Sequence, residues 1–452
     1  MYRKNAWEKY QDNLQEVMDF NEGYKKFISF GKTERLVVRE SIELLEKAGY
    51  KNAEKLESVK PGDKLYFVNK NKNICAFIVG KKPLSEGLRI LGAHIDSPRL
   101  DLKESPFYEK NGFALGDTHY YGGVKKYQYV TIPLALHGVV CKKDGSVVEI
   151  HIGEKEDDPV VGITDLLIHL SADQMAKPLG KAIEGENLDI SLGSIPLKDK
   201  DAKAYILDLL EKQYDIEEED FISAEIEVVP AGPARDYGLD RSMVAGYGHD
   251  DRVCAYTSLK ALLDTEKPQY TACCILVDKE EIGSVGATGA QSLFFENAIA
   301  QLAKLLGLAD PLYTARLVMQ ASKMLSSDVS AGFDPLYPGV NDPKNAAYFG
   351  QGLVFNKYTG SRGKSGSNDA NPEYYAFIRK TMDDADVNWQ SSELGKVDQG
   401  GGGTIAYILG NYNMNVIDAG IPVLNMHAPM EIVSKVDVYE AYRGYKAFLL
   451  AK

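Results

Sequence analysis

Five times along this chain a histidine or a cluster of carboxylates stands at the edge of an apolar or helix-patterned run, and that pattern constrains the fold more than any other feature. The run 88–92 leads into Ala93-His94-Ile95-Asp96-Ser97-Pro98, and 272–277 leads into Asp278-Lys279-Glu280-Glu281-Ile282-Gly283. Met324-Leu325 leads into Ser326-Ser327-Asp328-Val329-Ser330, and 421–424 into Asn425-Met426-His427-Ala428-Pro429. Gly248-His249-Asp250-Asp251-Arg252 stands just before a helical pattern opening at Val253. In an open α/β sheet ligands bind outside the carboxyl ends of the strands. Strands laid side by side would bring these endings to one crevice.

The rest of the chain supplies such a sheet. Apolar residues between Ala6 and Ala48 recur at three- and four-residue spacing, which predicts amphipathic helices broken at Gly23 or Gly31. Short β-rich runs follow at 65–68, 74–79 and 88–92. After Gly246 the pattern alternates: helix 253–263, strand 271–277, helix 290–306, strand 321–325, helices opening at Pro372 and Thr404, strand 422–426, and a closing helix 436–450. Alternation of this kind predicts a three-layer αβα sandwich with a mostly parallel central sheet. The tract 100–240 differs, with strand-like pieces at 127–140 and 147–152, one helix expected near 165–173, and acidic runs at 154–158 and 217–220. It reads as an inserted, β-rich second domain between 1–99 and 241–452.

Hydrophobic residues make up 44% of the 452 and charged residues 26%, enough to build a core and too balanced for disorder. The formal net charge of −13, with no long basic run, argues against nucleic acid as the main partner. Cys75, Cys141, Cys254, Cys273 and Cys274 are an odd, scattered set without metal-ribbon spacing and read as reduced thiols. Residues 1–49 contain no apolar signal-like segment, and no stretch of about 18 apolar residues occurs. A cytoplasmic protein that does not span a membrane is expected.

At a two-residue strand period His94 and Asp96 share a face, so Asp96 can orient the imidazole toward a metal. Asp250 could reach two ions at once, whereas Asp251 and Arg252 have the simpler reading of a helix N-cap and its ion-pair neighbour. Of the adjacent Glu280 and Glu281, one can ligate while the other takes a proton from water, provided the strand ends before them. With Asp328 and His427 these residues form the N/O donor set expected for a pair of zinc ions. The four glycines 400–403 lack the Gly-Lys-Ser/Thr of a phosphate loop and read as a site of close backbone approach to the cavity or to the sheet.

The ordered set Gly92-Ala93-His94-Ile95-Asp96-Ser97-Pro98, Asp278-Lys279-Glu280-Glu281-Ile282-Gly283-Ser284, Ser327-Asp328-Val329 and Met426-His427-Ala428-Pro429-Met430-Glu431 resembles the aspartyl aminopeptidase and vacuolar aminopeptidase I family of co-catalytic zinc exopeptidases. The resemblance covers nearly the whole chain. It implies a metalloaminopeptidase acting on peptide N-termini with two zinc ions per subunit, cobalt or manganese being possible substitutes. His94 and Asp328 would hold one ion, Glu281 and His427 the other, with Asp250 bridging, Asp96 orienting His94 and Glu280 as general base. It further implies that the inserted domain makes dimer contacts and that the chain forms a tetrahedral homo-dodecamer. His169, in Ile168-His169-Leu170, would reach a neighbouring subunit's site and steady the oxyanion. The aspartyl branch carries a histidine where this chain has Ala331, so a strict preference for acidic N-terminal residues is not implied, although Lys357 lies near the family's cationic substrate-pocket position. Another metallohydrolase of the same architecture, such as a deacylase or carboxypeptidase, is the nearest alternative. A non-catalytic self-assembling scaffold is the other, and a broken ligand set would mark it.

Overall fold

In the computed structural model, which describes residues 5–452, the strands that lead into three of the five endings lie side by side in one mixed sheet of nine strands. Residues 1–4, part of the polar N-terminal stretch, lie outside the described residues. Thr271–Val277, Leu88–His94, Lys323–Ser326 and Asn415–Gly420 are consecutive and mutually parallel. Their register sets Val277 beside His94, and Ser326 beside both Gly92 and Asp418. The parallel block is flanked by antiparallel pairings, Asn73–Ile78 against Thr271–Val277 on one side and Leu353–Asn356 against Asn415–Gly420 on the other.

These strands read as continuous apolar runs because both faces are covered. Along Thr271–Val277, Cys274 and Leu276 belong to a core with Tyr24, Val253, Leu259, Tyr445 and Phe448. Cys273, Ile275 and Val277 belong to a second core with Phe295, Ile299, Leu302, Val318 and Met319. The helices Leu14–Phe30, His249–Leu263 and Lys435–Leu450 feed the first core, and Phe294–Leu305 and Pro311–Ala321 feed the second.

Gly23 does not break the first long helix, which runs through it and ends at Gly31. A Cβ there would meet the Tyr256 hydroxyl at 2.6 Å, so the glycine admits a neighbouring ring. Gly400 approaches a loop rather than the sheet, since a Cβ there would stand 1.5 Å from the carbonyl oxygen of Leu394, beyond the strand Trp389–Ser391.

By the packing of its backbone the chain divides into two units, one comprising the chain up to Asp96, Ala234–Met426 and Glu431–Lys452, the other Ser97–Pro233 and His427–Met430. The first also holds a five-stranded sheet that includes Met243–Gly246 and Glu431–Ser434. The second is built on a six-stranded antiparallel sheet with its own core of Leu100, Phe107, Leu136, Ile150 and Val228. The helix expected near 165–173 is only a 3-10 turn, Ile168–Leu170, followed by the single turn Ala172–Met175. The substantial helix of this unit is Ala202–Tyr214, capped where Asp201 accepts the Ala204 N–H at 2.8 Å. Among the described residues no helix is long and apolar enough to cross a membrane.

Asp437, in the first turn of Lys435–Leu450, accepts the backbone N–H groups of Gly350 and Gly352 at 2.8 and 2.7 Å. Burial outweighs those donors and pushes its carboxyl up to about 8. The folded protein therefore holds this proton more tightly than the unfolded chain. Its contribution to stability is full below about pH 4 and is lost as pH rises through about 8. Asp437→Asn should lower stability at pH 5 by about 1–3 kcal/mol, because an amide cannot accept both N–H groups. The same variant should lose less between pH 5 and pH 9 than the wild type does, as urea midpoints at the two pH values will show.

Candidate metal centre

The strand Leu88–His94 ends on a buried imidazole, and the carboxylates of its neighbours are turned toward it. His94 Nε2 lies 3.1 Å from Asp250 Oδ1, and 4.0 Å from both Glu280 Oε2 and Asp328 Oδ1. Two overlapping sets have ligand atoms within 4.8 Å of one another: His94, Asp250 and Glu281, and His94, Asp251 and Asp328. The two adjacent glutamates both reach this region because the strand stops at Val277, Lys279 takes a left-handed conformation (φ 68°), and Glu280–Ile282 is a 3-10 turn.

Asp96 holds the turn in place. Its Oδ1 and Oδ2 accept the backbone N–H groups of Glu280 and Glu281 at 3.1 and 3.2 Å, and Oδ1 lies 3.2 Å from His94 Nδ1. One carboxylate thus orients the histidine and the glutamate pair together. Asp250 is fixed through its backbone N–H, which donates to Glu431 Oε2 at 3.0 Å.

The electrostatics are those of a crowded anionic pocket. Desolvation and the neighbouring carboxylates Asp251, Glu280 and Asp250 push the Asp328 carboxyl well above the usual range, although His94 opposes the shift. Burial and Asp250 do the same to Asp251. Burial lowers the affinity of His94 for a proton, but its hydrogen bonds with Asp250 and Asp96 outweigh this and raise its pKa well above 6.5.

Residues 27–449 match the family model described as aminopeptidase I zinc metalloprotease (M18). The chain belongs to the M18 aminopeptidase family. The Clostridium acetobutylicum protein named probable M18 family aminopeptidase 1 is 58% identical over 455 residues, covering 99% of this chain and 98% of the relative. The solved M18 aminopeptidase of Thermotoga maritima superposes with a TM-score of 0.97 at 44% identity, with 100% of each chain covered. The solved aminopeptidase I of C. acetobutylicum gives a TM-score of 0.93 at 54% identity over 99% of each. This M18 aminopeptidase is accordingly a zinc-dependent peptidase with a mixed α/β fold of several sheets.

The residues at the centre fit the metal. An imidazole and several carboxylates, whose burial and mutual crowding push Asp251 and Asp328 toward the protonated form, are an N/O donor set that divalent zinc would neutralise.

Asp251 is not engaged as a simple helix cap. Asp250 and Asp251 have non-helical backbone angles, and Asp251 Oδ2 accepts the backbone N–H of His94 at 3.3 Å. Nor does Arg252 serve as a neighbour's ion-pair partner in the way its position suggested. Its Nε donates to the Ile95 carbonyl at 3.0 Å and its guanidinium lies over the Tyr247 ring.

Glu431, Asp278 and Asp418 are three acidic residues to which sequence spacing assigns no role. Asp278 is buried, with Oδ2 accepting from the Thr288 hydroxyl at 2.6 Å, and it fixes the base of the glutamate turn. Asp418 stands opposite Ser326 and Asn356 near the end of its strand, where burial pushes its carboxyl up to about 7. A lone carboxylate inside the apolar run Asn415–Gly420 was the available signal.

In the other unit, the Nδ1 of His427 pairs with the Gly123 carbonyl at 2.8 Å, which selects the tautomer with its lone pair on Nε2, the form a metal ligand needs. His169 is exposed on its 3-10 turn between exposed Ile168 and Leu170. Lys357 forms an ion pair with Asp369, which also holds Lys364 at 3.0 Å.

Asp96→Asn is expected to weaken zinc retention and lower turnover by about 10–100-fold, because the amide turns an N–H₂ toward one of the two backbone donors it replaces an acceptor for. Chelator competition alongside steady-state kinetics measures both.

Proposed function

We propose that this M18 aminopeptidase releases N-terminal residues from peptides at a two-zinc centre, in which His94 and Asp328 hold one ion, Glu281 and His427 the other, and Asp250 bridges them. The observation that carries this reading is the convergence of His94, Glu281 and Asp328, at and beyond the carboxyl ends of adjacent parallel strands, with Asp250 from the start of the helix His249–Leu263, next to Glu280. Zinc held by these residues would supply Lewis acidity, making a water more acidic and polarising the scissile carbonyl. Glu280 takes the proton of the attacking water on its carboxylate and delivers it to the leaving amine. Asp96 keeps His94 and the backbone of Glu280 and Glu281 in register while that proton moves.

The reading extends to the architecture. The nine-stranded sheet with its two cores is the centre of a three-layer αβα sandwich, and the unit built on the antiparallel sheet is the inserted dimerisation domain. Yeast aminopeptidase 1 shares the fold at 20% identity, with a TM-score of 0.76, and has been solved as a dodecamer. A homo-dodecamer built from dimers is proposed for this chain too, with the exposed His169 steadying the oxyanion in a neighbouring subunit's site. Ala331, and a Lys357 already paired with Asp369, favour neutral over strictly acidic N-terminal residues.

A panel of aminoacyl-anilides and N-acyl amino acids tests the substrate class. Hydrolysis of anilides with a free α-amine, abolished by chelator dialysis and restored by zinc, is the expected result. Release of acetate or acyl groups from N-acyl amino acids, with no anilide cleavage, would instead identify a deacylase.

A further inference from the structure

His137 and His151 face each other across the edge of the antiparallel sheet, directly opposite in the register of Leu134–Cys141 and Val147–Ile152. Their Nδ1 atoms are 3.2 Å apart. The far nitrogen of each ring meets a carboxylate, His137 Nε2 with Glu154 Oε1 at 2.9 Å and His151 Nε2 with Glu149 Oε2 at 3.2 Å. Glu154 is in turn fixed by the Gly232 N–H, which donates to its Oε2 at 3.1 Å. His137 is buried, and the His151 side chain is 40% exposed.

A count of hydrogens shows what this arrangement demands. Three contacts, ring to ring and each ring to a carboxylate, need three hydrogens. Two neutral imidazoles carry two, and ionised carboxylates carry none. With both Nε2–H groups donated to the glutamates, the two Nδ1 lone pairs point at each other. The space between the two Nδ1 atoms is therefore suited to a cation, either a proton or a metal ion.

We propose that His137 and His151 form a divalent-cation site for zinc or a similar ion, sharing no residue with the His94 centre. Two nitrogens bound to one tetrahedral zinc at 2.0–2.1 Å stand about 3.3 Å apart, close to the spacing of the Nδ1 pair. A carboxylate on the distal N–H of each ligating histidine is the usual support for such a site, because it fixes the tautomer and raises the basicity of the ligating nitrogen. Exposure of His151 leaves a path for entry and for waters to complete the coordination. On binding, the ion takes the place of the shared proton, which leaves to solvent, and both Nε2–H bonds to Glu149 and Glu154 remain.

Zinc chloride titrated calorimetrically into the full-length, zinc-loaded enzyme tests the assignment. The wild type should take up one further equivalent, His151→Gln should lack it, and the two should hydrolyse aminoacyl-anilides equally. Glu149→Gln should keep the site but bind about 10–100-fold more weakly. A wild type with no further equivalent would assign the pair to a shared proton and overturn the proposal. Equal uptake by wild type and His151→Gln would overturn it as well.

Discussion

Glu280→Gln is expected to keep its zinc and to lose about 10²–10⁴-fold in kcat, with little change in KM. The substitution removes the carboxylate whose Oε2 stands 4.0 Å from His94 Nε2, and leaves His94, Asp250, Glu281 and Asp328 as they are. Its backbone N–H still donates to Asp96, so the turn that carries Glu281 keeps its shape. What is lost is an oxygen able to take a proton from water and pass it to a leaving amine, which an amide cannot do. Zinc content by plasma mass spectrometry, measured with steady-state kinetics on the same sample, separates this role from metal binding. Wild-type turnover in the variant would remove Glu280 from proton transfer.

Gly420→Ala is expected to cost about 3 kcal/mol of stability and to strip metal from the centre. Gly420 closes the strand Asn415–Gly420, and a Cβ there would stand 1.6 Å from the carbonyl oxygen of Asp328 and 2.5 Å from its carbonyl carbon. Those atoms are backbone and cannot rotate aside. The segment carrying Asp328 must shift, and Asp328 Oδ1 moves with it away from His94. Gly339→Ala is the matched control, because nothing lies within 4 Å of its Cβ position, and it should stay within about 0.5 kcal/mol of wild type. Thermal unfolding and zinc retention of the two variants side by side will show whether the approach at Gly420 holds the centre together.

Both expectations depend on residues that the sequence exposes to different degrees. His94 and Asp328 are legible because each follows an apolar run, and the parallel register that sets Val277 beside His94 and Ser326 beside Gly92 is what a row of such runs produces. The glutamate pair is legible for the same reason, once the strand is seen to stop before it.

Asp251 is not, since its contact with the His94 N–H depends on a non-helical path through 250 and 251 that resembles a helix start in one dimension. Gly23 misleads in the opposite sense: a helical glycine suggests a break, and only the Tyr256 ring packed against it explains its place. Pro311–Ala321 begins with an aspartate and a proline in the first turn, a recognisable start signal, and Ala202–Tyr214 repeats apolar residues at Ala202, Tyr205, Ile206 and Leu209. Neither helix is among the predicted elements: the cue for the first is its cap rather than its spacing, and the second lies beside the acidic run that follows it. The histidine pair at 137 and 151 has no sequence signature, because cross-strand register alone brings the two rings together.

The central claim, a two-zinc centre, is tested most directly by anomalous scattering at the zinc edge from crystals of the zinc-loaded protein. Two peaks are predicted roughly 3.5–4 Å apart, each about 2.0–2.2 Å from its ligand atoms, bounded by His94, Asp250, Glu281, Asp328 and His427. A map with no peak among His94, Asp250, Glu281 and Asp328 would contradict the account.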